Sequence, residues 1–134
     1  MPEIYVSVGG QGVDSLQPGE TIYLRPIGGG AWPAPQTPDY QPLTLDKMSD
    51  GTAVTVMLVE ADASEAVIWT NPEGDYYFDP ANPTNGLGGQ RPGITLVANV
   101  DGSITTVRND APKEVFKAMF TIAGGENVPP PASY

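Results

Sequence analysis

Cysteine and histidine are both absent from this 134-residue chain. Without cysteine there is no disulfide, no thiolate nucleophile and no zinc–thiolate site. Without histidine the usual general base near neutral pH and the commonest transition-metal ligand are missing, which excludes Ser-His-Asp, Cys-His and His-based metal chemistry. Basic residues are scarce: six Lys and Arg stand against sixteen Asp and Glu, a formal charge of −10. A surface with that balance repels polyanions, so nucleic acid and anionic lipid are poor partners. Long apolar runs are lacking as well. The longest, "TAVTVMLVEA" at 52–61, has the length of a strand and not of a membrane span, so no membrane contact is expected from this segment. The opening residues "MPEIYVSVGG" lack the basic and apolar regions of a signal peptide.

Glycine and proline are plentiful, at 16 and 15 residues. Both exceed average usage, so much of the chain is expected in turns and loops around one modest core, a single domain over 1–134 with a Pro-rich tail at 128–134. "EIYVSV" at 3–8 and "ETIYLRP" at 20–26 alternate like strands. The Pro/Gly-rich text from 26 to 42 is a long loop, with Trp32 as a plug over the core. "LTLDKMSDGT" at 43–52 holds a short helical turn; "AVTVMLVEA" is a central strand, with "EAVIWT" at 65–70 as its hairpin partner. "ITLVANV" and "SITTVR" flank Asp101-Gly102, a strong hairpin signal. A helix follows in "APKEVFKAMFTIA", with Val115, Met119 and Ile122 on one face and Phe116, Phe120 and Ala123 widening it. Asp110, Pro112 and Gly124 read as its start and stop signals. The expected fold class is α+β: an antiparallel sheet of five to seven strands, long Pro/Gly-rich loops and a C-terminal helix packed on the sheet.

No pair of the sixteen acids is singled out by spacing as a general acid and base, and no catalytic residue is assigned. "GGQG", "GGG" and "GLGG" do not sit between strand and helix, and no P-loop lysine follows them, so they read as turn glycines. The loop at 71–94 carries Glu73, Asp75, Asp79, Asn82 and Asn85, hard oxygen ligands of the type Ca²⁺ takes. The EF-hand pattern is missing, and Asx-turns in a Pro-ordered loop explain the same residues without an ion. Trp32, Trp69, Tyr76 and Tyr77 could stack on a glycan or plug a thin core; a carbohydrate- or surface-ligand-binding module is the alternative they raise.

Several motifs occur together in order: Trp69-Thr70-Asn71-Pro72-Glu73, Asp79-Pro80-Ala81-Asn82-Pro83, Gly86-Leu87-Gly88-Gly89, Asp101-Gly102-Ser103 and Ala123-Gly124-Gly125-Glu126. In these, residues 45–127 resemble the C-terminal region of a large bacterial family of prepilin-like proteins, a domain of unknown function with a His-x9-Asp-Gly element. The resemblance implies a head domain like those of type IV pilins or type II secretion pseudopilins, and hence a non-catalytic structural or interaction subunit. Its partners would be protein subunits of the same or related pilin-like type, at the cell surface, in the periplasm or outside the cell. Related major pseudopilins hold Ca²⁺ in a C-terminal acidic loop, which strengthens the expectation of a structural Ca²⁺ at Asp75, Asp79, Asn82 and Asn85. Two departures are visible. Arg91 stands where the element has His, and the cleavage motif and long apolar helix that open the family's members are not in this sequence.

Overall fold

The computed structural model describes residues 10–35, 38 and 40–125. Over these residues it is a small single-domain α+β fold with mostly antiparallel strand pairing and one α-helix. The expected strand at 3–8 and the tail at 128–134 lie outside the described residues.

The "ETIYLRP" run is extended, as its alternation predicts, but it pairs with three different partners in turn. β1 (Glu20–Thr21), β2 (Tyr23–Leu24) and β3 (Pro26–Ile27) follow one another, with β4 at Val56–Glu60, β5 at Val67–Ile68, β6 at Tyr76–Tyr77, β7 at Ile94–Asn99 and β8 at Ile104–Arg108. The main sheet has the order β2-β4-β7-β8, antiparallel throughout. β1 pairs antiparallel with β5, and β3 pairs parallel with β6. The expected hairpin between 52–61 and 65–70 does not form. A strand has two edges, and both edges of β4 are taken, by β2 and by β7. The chain turns away through a 3-10 turn at Ala63–Glu65, so β5 pairs with β1 instead.

β7 and β8 form the hairpin marked by Asp101-Gly102, in register from Ile94 opposite Arg108 to Ala98 opposite Ile104. The connection is longer than those two residues, running from 100 to 103. Gly102 supplies the left-handed conformation at φ 86°. The Asp101 carboxylate accepts both the N–H and the hydroxyl of Ser103, at 2.9 and 2.6 Å. These contacts hold it below the usual carboxylate range.

Helix α1 spans Lys113–Phe120, shorter than the apolar periodicity implies. Its signals are reassigned. Asp110 does not cap it, because its carboxylate is held by Arg108 at 2.6 and 2.9 Å. Extended Thr121, and not Gly124, ends it. The Gly124 and Gly125 amides instead donate to the Asp50 carboxylate at 2.8 and 3.0 Å, tying the chain beyond the helix to the turn before β4. The short helical turn expected at 43–52 is present as a 3-10 turn at Leu45–Lys47.

The core lies between α1 and one face of the main sheet. Phe116, Met119 and Phe120 meet Leu24, Val56, Val59, Val97 and Val107, all essentially buried. Strand alternation sends Tyr76 and Phe78 into this core and Tyr77 out of it. Phe78 stacks on Phe120 with centroids 5.0 Å apart, and Tyr76 meets the same ring at 6.2 Å.

Candidate functional site

The acidic loop is positioned by the short parallel ladder. Tyr76 N–H donates to Arg25 O and Phe78 N–H to Ile27 O, both at 2.9 Å. This registers Asp75 beside Arg25, whose guanidinium grips the carboxylate through two bonds of 3.0 Å. The Asp75 side chain is 7% exposed, so its charge is neutralised by the protein itself. Asp79 forms an Asx-turn, accepting from the Ala81 N–H at 2.8 Å and from Asn82 Nδ2 at 3.1 Å. Those bonds hold Asp79 below the usual carboxylate range. Asn85 enters through its backbone: its carbonyl accepts the Tyr76 hydroxyl. Glu73 is exposed.

The structure thus joins Asp79 to Asn82 and Tyr76 to Asn85, and gives Asp75 to Arg25. Among the described residues no three acidic side chains form a group suited to a metal ion. Of the two carboxylates expected to ligate Ca²⁺, Asp75 is gripped by a guanidinium and Asp79 is engaged in its Asx-turn. The order of the loop has a source that needs no ion. Asp62 N–H donates to Gly86 O at 2.8 Å, the Asp62 carboxylate accepts from Gly89 N–H at 2.6 Å, and Asn109 Nδ2 donates to Gly88 O at 3.1 Å.

The four rings named as a stacking platform separate. Tyr76 is 2% exposed and belongs to the core. Its hydroxyl is pushed up to about 12, by burial first and then by the charges of Glu65, Asp62 and Asp79. Trp32 is half-buried, and its indole N–H donates to Val56 O at 2.8 Å, the plug expected of it. Trp69 and Tyr77 alone present substantial ring surface, at 41% and 74% exposure. Tyr76 does not join the other rings on the surface, because alternation with Tyr77 turns it inward.

Arg91 has a clear structural task. Its Nε and one terminal nitrogen donate to the two oxygens of Glu60 at 2.8 and 3.0 Å. The Glu60 side chain is 1% exposed, a buried carboxylate at the end of a central strand. That hydrogen bonding raises Arg91 above its ordinary value. The two residues are 31 positions apart, and no local pattern signals their pairing.

The feature that sequence reading misses lies on the outer face of the main sheet. In β7 one parity holds Ile94, Leu96 and Ala98 and the other Thr95, Val97 and Asn99. The more apolar set would be expected inside, yet the second set is the buried one. Thr95 and Asn99 are accommodated by hydrogen bonds, from the Thr95 hydroxyl to Asn109 Oδ1 and from Asn99 Nδ2 to Thr105 Oγ1, each 2.8 Å. The outward set leaves Leu96 and Ala98 half-buried and joins them to Leu58 on β4 and Ile104 on β8, which is 68% exposed. Tyr23 and Glu60 complete a hollow of about 210 Å³ on this face. Apolar surface gathered in this way marks a contact site more often than scattered exposed residues do.

No protein-family model, no curated protein and no solved structure matches this chain. Among the described residues no helix is long and apolar enough to cross a membrane.

Proposed function

We propose that this chain is the head of a pilus-like or pseudopilus-like cell-surface assembly, a non-catalytic structural subunit that meets protein subunits of the same or related pilin-like type. The observation that carries the reading is the outer sheet face, where Leu58, Leu96, Ala98 and Ile104 form apolar surface while the opposite face takes Thr95 and Asn99 into the core. A strand that turns its more apolar side outward is consistent with a partner covering that side. The ordered motifs from Trp69 to Glu126 supply the pilin-like part of the reading, and the lack of histidine and cysteine supports the non-catalytic part. Burial of Tyr76 takes away the centre of the aromatic set on which the glycan reading rested.

Ile104→Asp tests this, because the position is exposed and its change leaves the core untouched. The variant is expected to keep the far-ultraviolet spectrum and melting temperature of the parent while failing to enter a sedimentable surface assembly in producing cells. Normal incorporation of the variant, or turnover of an ester, peptide or glycoside by the parent, would sink the proposal.

A further inference from the structure

The loop at 71–94 contains three of the chain's six asparagines, and their following residues differ in a way that decides their chemistry. Asn71 and Asn82 precede Pro72 and Pro83, whose ring nitrogens carry no hydrogen and cannot act as nucleophiles. Asn85 precedes Gly86, which has no side chain to hinder an attacking backbone nitrogen. Asn85 is exposed, and among the described residues neither its carboxamide nor the Gly86 N–H has a hydrogen-bond partner. At the two described asparagines outside the loop the carboxamides are held. Asn99 is fully buried and donates to Ser103 and Thr105, and the following Val100 N–H is bonded to Thr55 O. Asn109 accepts from Thr95 and donates to Gly88 O.

We infer that Asn85 is a site of spontaneous deamidation, with the Gly86 backbone nitrogen as the nucleophile. The nitrogen loses its proton to solvent base and forms a bond to the Asn85 carboxamide carbon. The bond from that carbon to Nδ2 breaks, and ammonia leaves with a proton from water. A cyclic imide results. Water then opens it at one of its two carbonyls, giving either aspartate or an isoaspartyl link through the side chain. No oxidant or reductant takes part.

The fold gates this step. Leu87 N–H donates to Thr84 O at 3.1 Å across the turn that holds Asn85 and Gly86, the Asn85 carbonyl takes the Tyr76 hydroxyl, and the Gly86 carbonyl takes the Asp62 N–H. Attack requires the turn to open locally, so loosening the Tyr76 tie speeds conversion. The product acts back on the same tie. Either outcome adds a carboxylate to a neighbourhood where Asp62, Glu65 and Asp79 already help keep the Tyr76 hydroxyl protonated. The isoaspartyl form also lengthens the backbone at the residue that accepts the tyrosine hydroxyl. Age thus alters the residue that ties the acidic loop to the core, independently of what the outer sheet face binds.

Peptide mapping by mass spectrometry of the full folded chain, incubated at mildly alkaline pH, tests the inference. The peptide containing Asn85 is expected to gain the mass of an Asn-to-Asp change and to split into two forms, one of them a substrate for isoaspartyl methyltransferase. Asn85→Gln should lose this conversion, and Tyr76→Phe should convert faster than the parent. If the folded chain stays intact at Asn85 while the urea-unfolded chain converts, or if Asn99 and Asn109 convert as fast, the inference is overturned.

Discussion

Replacing Arg91 with methionine removes the guanidinium from a carboxylate that is 1% exposed while keeping a flexible apolar chain of similar reach. Both oxygens of Glu60 lose a bond, those of 2.8 and 3.0 Å. Breaking a buried ion pair by deleting one partner costs about 3–5 kcal/mol, because the remaining charge stays in poorly solvating surroundings. For a domain with total stability of about 5–15 kcal/mol that loss is large. Arg91→Lys keeps the charge but replaces a two-pronged donor with a point charge, so its cost falls to about 1–3 kcal/mol. The double variant Glu60→Gln with Arg91→Met removes the charge that makes the single variant costly and should recover much of the loss. Urea unfolding monitored by tryptophan fluorescence, at one pH for all four proteins, reads these differences as shifts in the midpoint. If Arg91→Met unfolds with the parent's midpoint, or if the double variant is no more stable than Arg91→Met alone, the pairing does not carry the stability assigned to it.

Three other outcomes follow from the same geometry. Tyr76→Phe should cost about 1 kcal/mol at neutral pH through the lost hydroxyl bond to the Asn85 carbonyl. The parent, with that hydroxyl raised to about 12 from 10.0, should lose stability as pH climbs from 10 to 12, because the unfolded chain releases its proton first. Tyr76→Phe lacks this part of the loss, and parallel alkaline profiles for the two proteins would contradict the assignment. Phe116→Ala, at a fully buried position on α1, should cost about 3–5 kcal/mol in the same urea experiment; a change under about 1 kcal/mol would mean the helix does not anchor the core. Chelation with EDTA is expected to leave the melting temperature unchanged, since Arg25 already neutralises Asp75. A rise on adding Ca²⁺ would restore the cation reading of the loop.

What could be read from the sequence follows the range over which each cause acts. The β7–β8 hairpin, the 3-10 turn at Leu45–Lys47 and helix α1 depend on neighbours a few residues away, and alternation, Asp-Gly punctuation and apolar spacing announce them. The partner of β5 was illegible, because it depends on which edges of β4 remain free, a property of the assembled sheet. The pairings of Arg25 with Asp75 and Arg91 with Glu60 span 50 and 31 residues and leave no local trace. Asp110 has the chemistry of a helix start, but Arg108, two residues before it, holds the carboxylate. Composition misleads most in β7: hydrophobicity alone selects Ile94, Leu96 and Ala98 as core, whereas the structure gives the interior to Thr95, Val97 and Asn99.

That inversion is where the functional proposal stands or falls. A photo-reactive amino acid placed at position 104 in producing cells reports directly on what lies against the outer sheet face. The expected product is a cross-linked adduct containing a second pilin-like subunit or another copy of this chain, lost when Leu58 is changed to aspartate in the same protein. A residue at position 104 that cross-links to nothing in the assembled surface fraction would contradict it.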